Sequence, residues 1–203
     1  MCLSVAPLPA KMQGGSDANH PASHTKKEQE FYATRLAKMI QCKTVSKKNQ
    51  PHDDAEFAAL RNVMRELFPL VHEKSELKIF SDDCWVYKTE GKDTSRNVML
   101  MSHHDVVEGT GEWKYPPFSA TIADGKLWGR GTVDTKTPLF AEFSALEELL
   151  EEGFDMPCNI YIASSHNEEY AGDGIPTVNK YFLEQGITFE MILDEGGAII
   201  DPP

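Results

Sequence analysis

Asn97-Val98-Met99-Leu100-Met101-Ser102-His103-His104-Asp105 is the stretch that decides the fold, because a short apolar run ends there in metal-binding side chains. The same pattern occurs twice more. Residues 159–163 (NIYIA) run into Ser164-Ser165-His166-Asn167-Glu168-Glu169, and residues 191–193 (MIL) run into Asp194-Glu195-Gly196-Gly197. In open α/β sheets ligands bind just beyond the carboxyl ends of the strands, so these segments are expected to converge on one cleft.

Outward from these runs, further strands are expected over 77–80 and 84–87. Apolar residues recur at helical spacing through Tyr32, Leu36, Met39 and Ile40, and again through Phe57, Leu60, Val63, Met64, Leu67 and Phe68. A third helix is expected over 137–152, with Pro138 in its first turn. Strands alternating with helices give an α/β fold, a mixed sheet flanked by helices. Residues 1–25 mix Pro, Gly, Ser, Asn and His without a period and read as a loosely ordered leader, leaving 26–203 as one domain without internal repeats. The acidic pairs Glu147-Glu148 and Glu151-Glu152 read as the solvated face of the third helix.

Composition narrows the function. With 32 acidic against 20 basic residues the chain carries a formal charge of −12, which repels polyanions and argues against nucleic acid or an anionic membrane surface as partner. No apolar stretch is long enough for a membrane span and the first residues lack a continuous secretion signal, so a cytoplasmic protein is expected. Cys2, Cys42, Cys84 and Cys158 lie far apart and form no C-x-x-C pair, which speaks for free thiols. The motifs of other hydrolases and of nucleotide binding are missing: His72-Glu73 is followed by Glu76 where H-E-x-x-H needs its second histidine, and neither G-x-S-x-G nor a P-loop is present.

The chemistry-bearing residues come in pairs. Positions i and i+2 of a strand share a face, so His103 and Asp105 can address one site, with the carboxylate holding the second nitrogen of a ligating imidazole. His104 should point away and pack or lie exposed. Gly129-Arg130-Gly131-Thr132-Val133-Asp134-Thr135-Lys136 is a glycine-bracketed turn that delivers Asp134 either to a metal or to the cap of the following helix. Adjacent Glu168 and Glu169 allow one carboxylate to bind metal while its neighbour takes a proton from water. Asp194-Glu195 adds a further oxygen ligand. A thiolate-free set of imidazole and carboxylates suits catalytic zinc, with manganese or cobalt as substitutes.

In this order, H-x-D, G-R-G-x-x-D-x-K, E-E and D-E-G, the motifs resemble the co-catalytic dizinc peptidase family that includes aminoacylase, carboxypeptidase S, glutamate carboxypeptidase and carnosine dipeptidase. Trp113, Pro116-Pro117-Phe118 and Leu193-Asp194-Glu195-Gly196-Gly197 point to its carboxypeptidase S branch. The resemblance implies two zinc ions, with His103 and Glu195 on one, Glu169 on the other and Asp134 bridging both. Asp194 is the alternative to Glu195. It further implies Glu168 as general base, Asp105 orienting His103, and a cis peptide after Asp134. The implied reaction is zinc-dependent hydrolysis of a peptide or N-acyl amino acid amide, by an enzyme whose full-length form is open to homodimerisation. Thr137 stands where a glycine is frequent, and Asn167 where an aspartate is common. By the same resemblance, residues 26–203 are the N-terminal portion of a dizinc exopeptidase catalytic domain, without its inserted dimerisation domain, its C-terminal part and a final histidine ligand. The 203-residue chain alone is therefore expected to be inactive, and a noncatalytic metal-binding or interaction fragment is the alternative reading.

Overall fold

A computed structural model describes residues 25–195. Of the expected leader only Thr25 falls among them, and Gly196-Gly197 also lie outside. Helix α1 (Lys26–Gln41) starts at a capping box, in which the Thr25 side chain accepts from the Glu28 backbone and the Glu28 carboxylate accepts from that of Thr25. Helix α2 (Asp54–Leu67) is capped by Asp53, whose carboxylate accepts from the backbones of Ala55 and Glu56. A short helix α3 (Pro69–Lys74) follows, then strands β1 (Ser75–Phe80), β2 (Cys84–Thr89) and β3 (Asp93–His103). A hairpin of β4 (Thr121–Ala123) and β5 (Lys126–Trp128) precedes helix α4 (Lys136–Glu151). Strand β6 (Cys158–Ser165), a 3-10 turn at Glu168–Tyr170, helix α5 (Gly174–Glu184) and strand β7 (Met191–Leu193) complete the order.

The main sheet has five strands in the order β1-β2-β6-β3-β7. Its β1-β2 and β2-β6 pairs are antiparallel, whereas β3 runs parallel to both β6 and β7. The sheet is thus mixed, as expected. Period-2 alternation sends Trp85, Tyr87 and Ile162 to one face, where they pack with Met39, Ile40, Leu60, Leu139 and Phe143 of α1, α2 and α4. Val86, Tyr161 and Ala163 face the other way and pack against Val178 and Phe182 of α5. Full burial of each such large apolar side chain contributes about 1.5–3 kcal/mol.

Four elements, α3, β4, β5 and α5, went unread in the sequence. Helix α5 (GIPTVNKYFLE) carries Gly174, Pro176 and several weak helix formers, so packing of Val178 and Phe182 at i, i+4 holds it rather than propensity. The β4-β5 hairpin turns at Asp124-Gly125, both with positive φ (57° and 70°), the pairing favoured in two-residue hairpin loops.

Helix α3 bears on a correction. Glu147 was expected on a solvated face, yet it is buried and accepts from the backbone N–H groups of Leu70 (2.9 Å) and Val71 (2.8 Å). It satisfies the start of α3, whose N-cap residue Phe68 offers no side-chain acceptor. Glu148, Glu151 and Glu152 are exposed, as expected.

Candidate metal centre

Parallel pairing aligns the strand ends. In the β3-β6 register His103 stands opposite Ser165, and in the β3-β7 register Leu100 stands opposite Leu193. The residues that follow β6 and β7 therefore emerge beside His103, and the turn before α4 brings Asp134 to the same place.

His103 is almost wholly buried and sits at the centre of the cluster. Its Nε2 lies 2.8 Å from Asp134 Oδ1, 3.6 Å from Glu195 Oε2 and 3.7 Å from Glu168 Oε2. Ligand atoms of His103, Asp134 and Glu195 all fall within 4.8 Å of one another, a spacing that can hold a metal ion. Asp134 is open to solvent, its side chain 70% exposed, so the cluster can be reached from outside. Asp194 is also exposed; it lines the adjoining cavity, while Glu195 is the acid gathered with His103.

On its other side, His103 Nδ1 is 2.9 Å from the Asp105 backbone carbonyl and 3.2 Å from its carboxylate. Asp105 is fully buried, and its carboxylate also accepts from the Ser46 hydroxyl and from the backbone N–H groups of Glu168 (3.1 Å) and Glu169 (3.2 Å). One carboxylate thus links the imidazole to the Glu168-Glu169 turn.

Glu169 is a neighbour of this cluster rather than a member. Its Oε1 accepts from Val107 N–H at 3.1 Å, and its pKa is raised by burial and then by Asp134. Glu195 is likewise raised, by burial first and by Glu168 and Asp134 among its neighbours. Burial works against a charged His103, but Asp105, Glu195 and Asp134 outweigh it and raise its pKa to about 10. Crowded acids around one imidazole are the electrostatic setting that a divalent cation relieves. The donor set is free of thiolate, since Cys42, Cys84 and Cys158 are buried free thiols outside it. These residues fit a catalytic-type metal site.

The neighbouring motif residues have structural parts. Asp134-Thr135 is a cis peptide, and Thr135 at the N-cap of α4 makes no side-chain capping bond. Gly131 has φ +85°, and a Cβ there would come within 3.0 Å of Val106 Cγ1. Asn167 is buried; its side-chain oxygen accepts from Gly174 N–H (3.2 Å), and its Nδ2 donates to Asp173 (3.0 Å). His104 packs, stacked on Trp85 at 3.9 Å with Nδ1 2.8 Å from the Ser164 hydroxyl.

Sequence reading missed two buried ionisable groups near the centre. Lys136 donates to the carbonyls of Met39 (3.1 Å) and Cys42 (2.7 Å), pinning the end of α1, and burial lowers its pKa to about 8. Glu142 accepts from the Ser102 hydroxyl at 2.9 Å, and burial is the main cause of a pKa raised to about 8. A glutamate between Leu139 and Phe143, on the apolar face of α4, was the available signal.

A mixed sheet with an imidazole and carboxylates gathered at its strand ends defines an α/β protein with a candidate metal centre. The family described as Peptidase family M20/M25/M40 matches residues 99–202, and the chain belongs to it. Probable carboxypeptidase S-like 2 of Dictyostelium discoideum is 39% identical over 179 residues, covering 84% of this chain and 34% of the relative. Human N-fatty-acyl-amino acid synthase/hydrolase PM20D1 is 29% identical, covering 99% of this chain and 42% of the relative. Carboxypeptidase S of Saccharomyces cerevisiae is 30% identical, covering 98% and 37%. The chain therefore spans well under half the length of these relatives. Human carnosine dipeptidase 1 shares the fold, with a TM-score of 0.68 at 19% identity over 83% of this chain and 38% of that one.

Proposed function

We propose that this site serves the hydrolysis of an amide bond in a peptide or an N-acyl amino acid, with zinc as cofactor. The observation that carries the reading is the gathering of Asp134, Glu195 and Glu168 around Nε2 of one buried histidine. The names of the relatives, carboxypeptidase S and N-fatty-acyl-amino acid synthase/hydrolase, support the substrate class.

In this reading His103, Asp134 and Glu195 would hold one zinc, and Asp134 and Glu169 would contribute to a second. When bound, zinc supplies Lewis acidity toward the amide carbonyl and the attacking water. Asp105 keeps His103 Nδ1 occupied, which leaves Nε2 as the ligating atom. Glu168 is the general base: it takes a proton from water and returns it to the leaving amine. A cavity of about 330 Å³ adjoins the cluster, and Met101, Ile175 and Pro176 line it together with Glu168 and Glu195, an apolar contribution that suits an acyl chain or apolar side chain. No helix among the described residues is long and apolar enough to cross a membrane, and three buried free thiols accord with a reducing, cytoplasmic setting.

The test is Glu168→Gln in the longest protein that carries these residues, assayed on N-acyl amino acids with and without zinc. Zinc should stay bound while most turnover is lost, because an amide keeps the shape and cannot take the proton. Near-normal turnover would remove Glu168 as the base, and turnover indifferent to zinc would remove the metal from the reaction.

A further inference from the structure

A second cluster of ligand atoms lies apart from the centre described above. His52, in the loop before α2, Asp82, in the turn between β1 and β2, and His166, just after β6, bring one ligand atom each to within 4.8 Å of one another. These segments are remote in sequence, so tertiary packing alone assembles the group.

From this arrangement we infer a separate binding site for a divalent transition metal, zinc foremost, held by His52, Asp82 and His166. Two features support it. His166 is buried, and its Nδ1 has no hydrogen-bond partner among the described residues, although leaving a buried polar atom so is costly. A metal bond is one way to satisfy a bare imidazole nitrogen.

The second feature is the setting of His52. Asp54 Oδ1 lies 3.1 Å from its Nε2, and a carboxylate on one ring nitrogen is the arrangement that fixes a ligating imidazole and its tautomer. The His52 ring meets that of His166 edge to face at 5.6 Å, so the two rings are already positioned together.

Two imidazoles and a carboxylate suit zinc, cobalt or nickel better than calcium or magnesium, which prefer all-oxygen sites. Asp82 is exposed, so water has access to a remaining coordination position. Such an ion ties the start of α2 and the β1-β2 turn to the segment His166-Asn167-Glu168, and so steadies the turn that carries Glu168. The inference does not depend on hydrolysis, because the cluster shares no residue with His103, Asp134 and Glu195.

Zinc stoichiometry of the chain, by equilibrium dialysis with metal analysis, tests it in three forms: wild type, His52→Gln/Asp82→Asn, and Asp134→Asn/Glu195→Gln. These substitutions spare the buried His166, and far-UV circular dichroism verifies that each form is folded. The His52→Gln/Asp82→Asn form should bind one equivalent less than wild type, and the Asp134→Asn/Glu195→Gln form should keep that equivalent. With cobalt in place of zinc, the second form should lose one set of visible absorption bands. Equal stoichiometry and equal cobalt spectra in wild type and His52→Gln/Asp82→Asn would overturn the site.

Discussion

Asp105 Oδ1 accepts the backbone N–H of Glu168 at 3.1 Å, so the carboxylate that faces His103 also sets where the candidate base stands. Its other oxygen receives the Glu169 N–H and the Ser46 hydroxyl. Orientation of the imidazole and position of the acidic turn are therefore one structural variable.

Asp105→Asn should weaken zinc binding about 10- to 100-fold, the usual cost of losing a partner behind a metal-ligating histidine. An amide preserves the shape but replaces an acceptor with a donor next to backbone N–H groups. Competition with a chromogenic chelator measures the loss, and an unchanged affinity would show that the Asp105 backbone carbonyl alone orients His103.

Glu147→Ala should destabilise the fold by about 1–3 kcal/mol, because a buried and a part-buried backbone donor at the start of α3 lose their acceptor. Glu147→Gln keeps one acceptor oxygen and should fall between. Urea unfolding is the measurement. A change within about 0.5 kcal/mol, typical of a surface site, would restore the solvated-face reading.

Stability should fall with acid partly through His72. Its Nδ1 faces the Phe68 carbonyl at 2.8 Å and so carries the proton, which leaves Nε2 to accept the Tyr87 hydroxyl at 2.9 Å. Burial lowers its pKa below the ordinary imidazole value of about 6.5. Above that value both states are neutral and nothing is lost. Below it the unfolded chain takes up a proton that the native state refuses, so unfolding free energy drops as pH falls, by up to about 1.4 kcal/mol per pH unit for one proton. His72→Asn removes this titration and should show a shallower stability loss below about pH 6.5 than wild type. Parallel curves would assign the acid sensitivity to other groups.

Several features were legible in the sequence because their signals are local. Strand β7 has the bounds its apolar run gave, and Asp105 meets His103 as the i, i+2 spacing suggested, although β3 itself stops at His103. What was missed depends on contacts between distant segments. Glu147 looks like part of an acidic surface run until α3 packs against it, and His52 and His166 gain meaning only when the loop before α2 reaches the end of β6. Lys136 carries a charge whose burial no window of sequence reveals, whereas Glu142, between Leu139 and Phe143 on the apolar face of α4, gave a local signal that went unused. The β4-β5 hairpin is different: Asp124-Gly125 announced it locally, and its strands were too short to form an apolar period.

The central claim is that His103, Asp134 and Glu195 together hold a metal ion. Anomalous diffraction at the zinc edge, from crystals of the chain grown with zinc, tests it most directly. The account predicts a peak about 2.0–2.2 Å from a ring nitrogen of His103 and from carboxylate oxygens of Asp134 and Glu195. Zinc-saturated crystals with no peak among these three residues would contradict it.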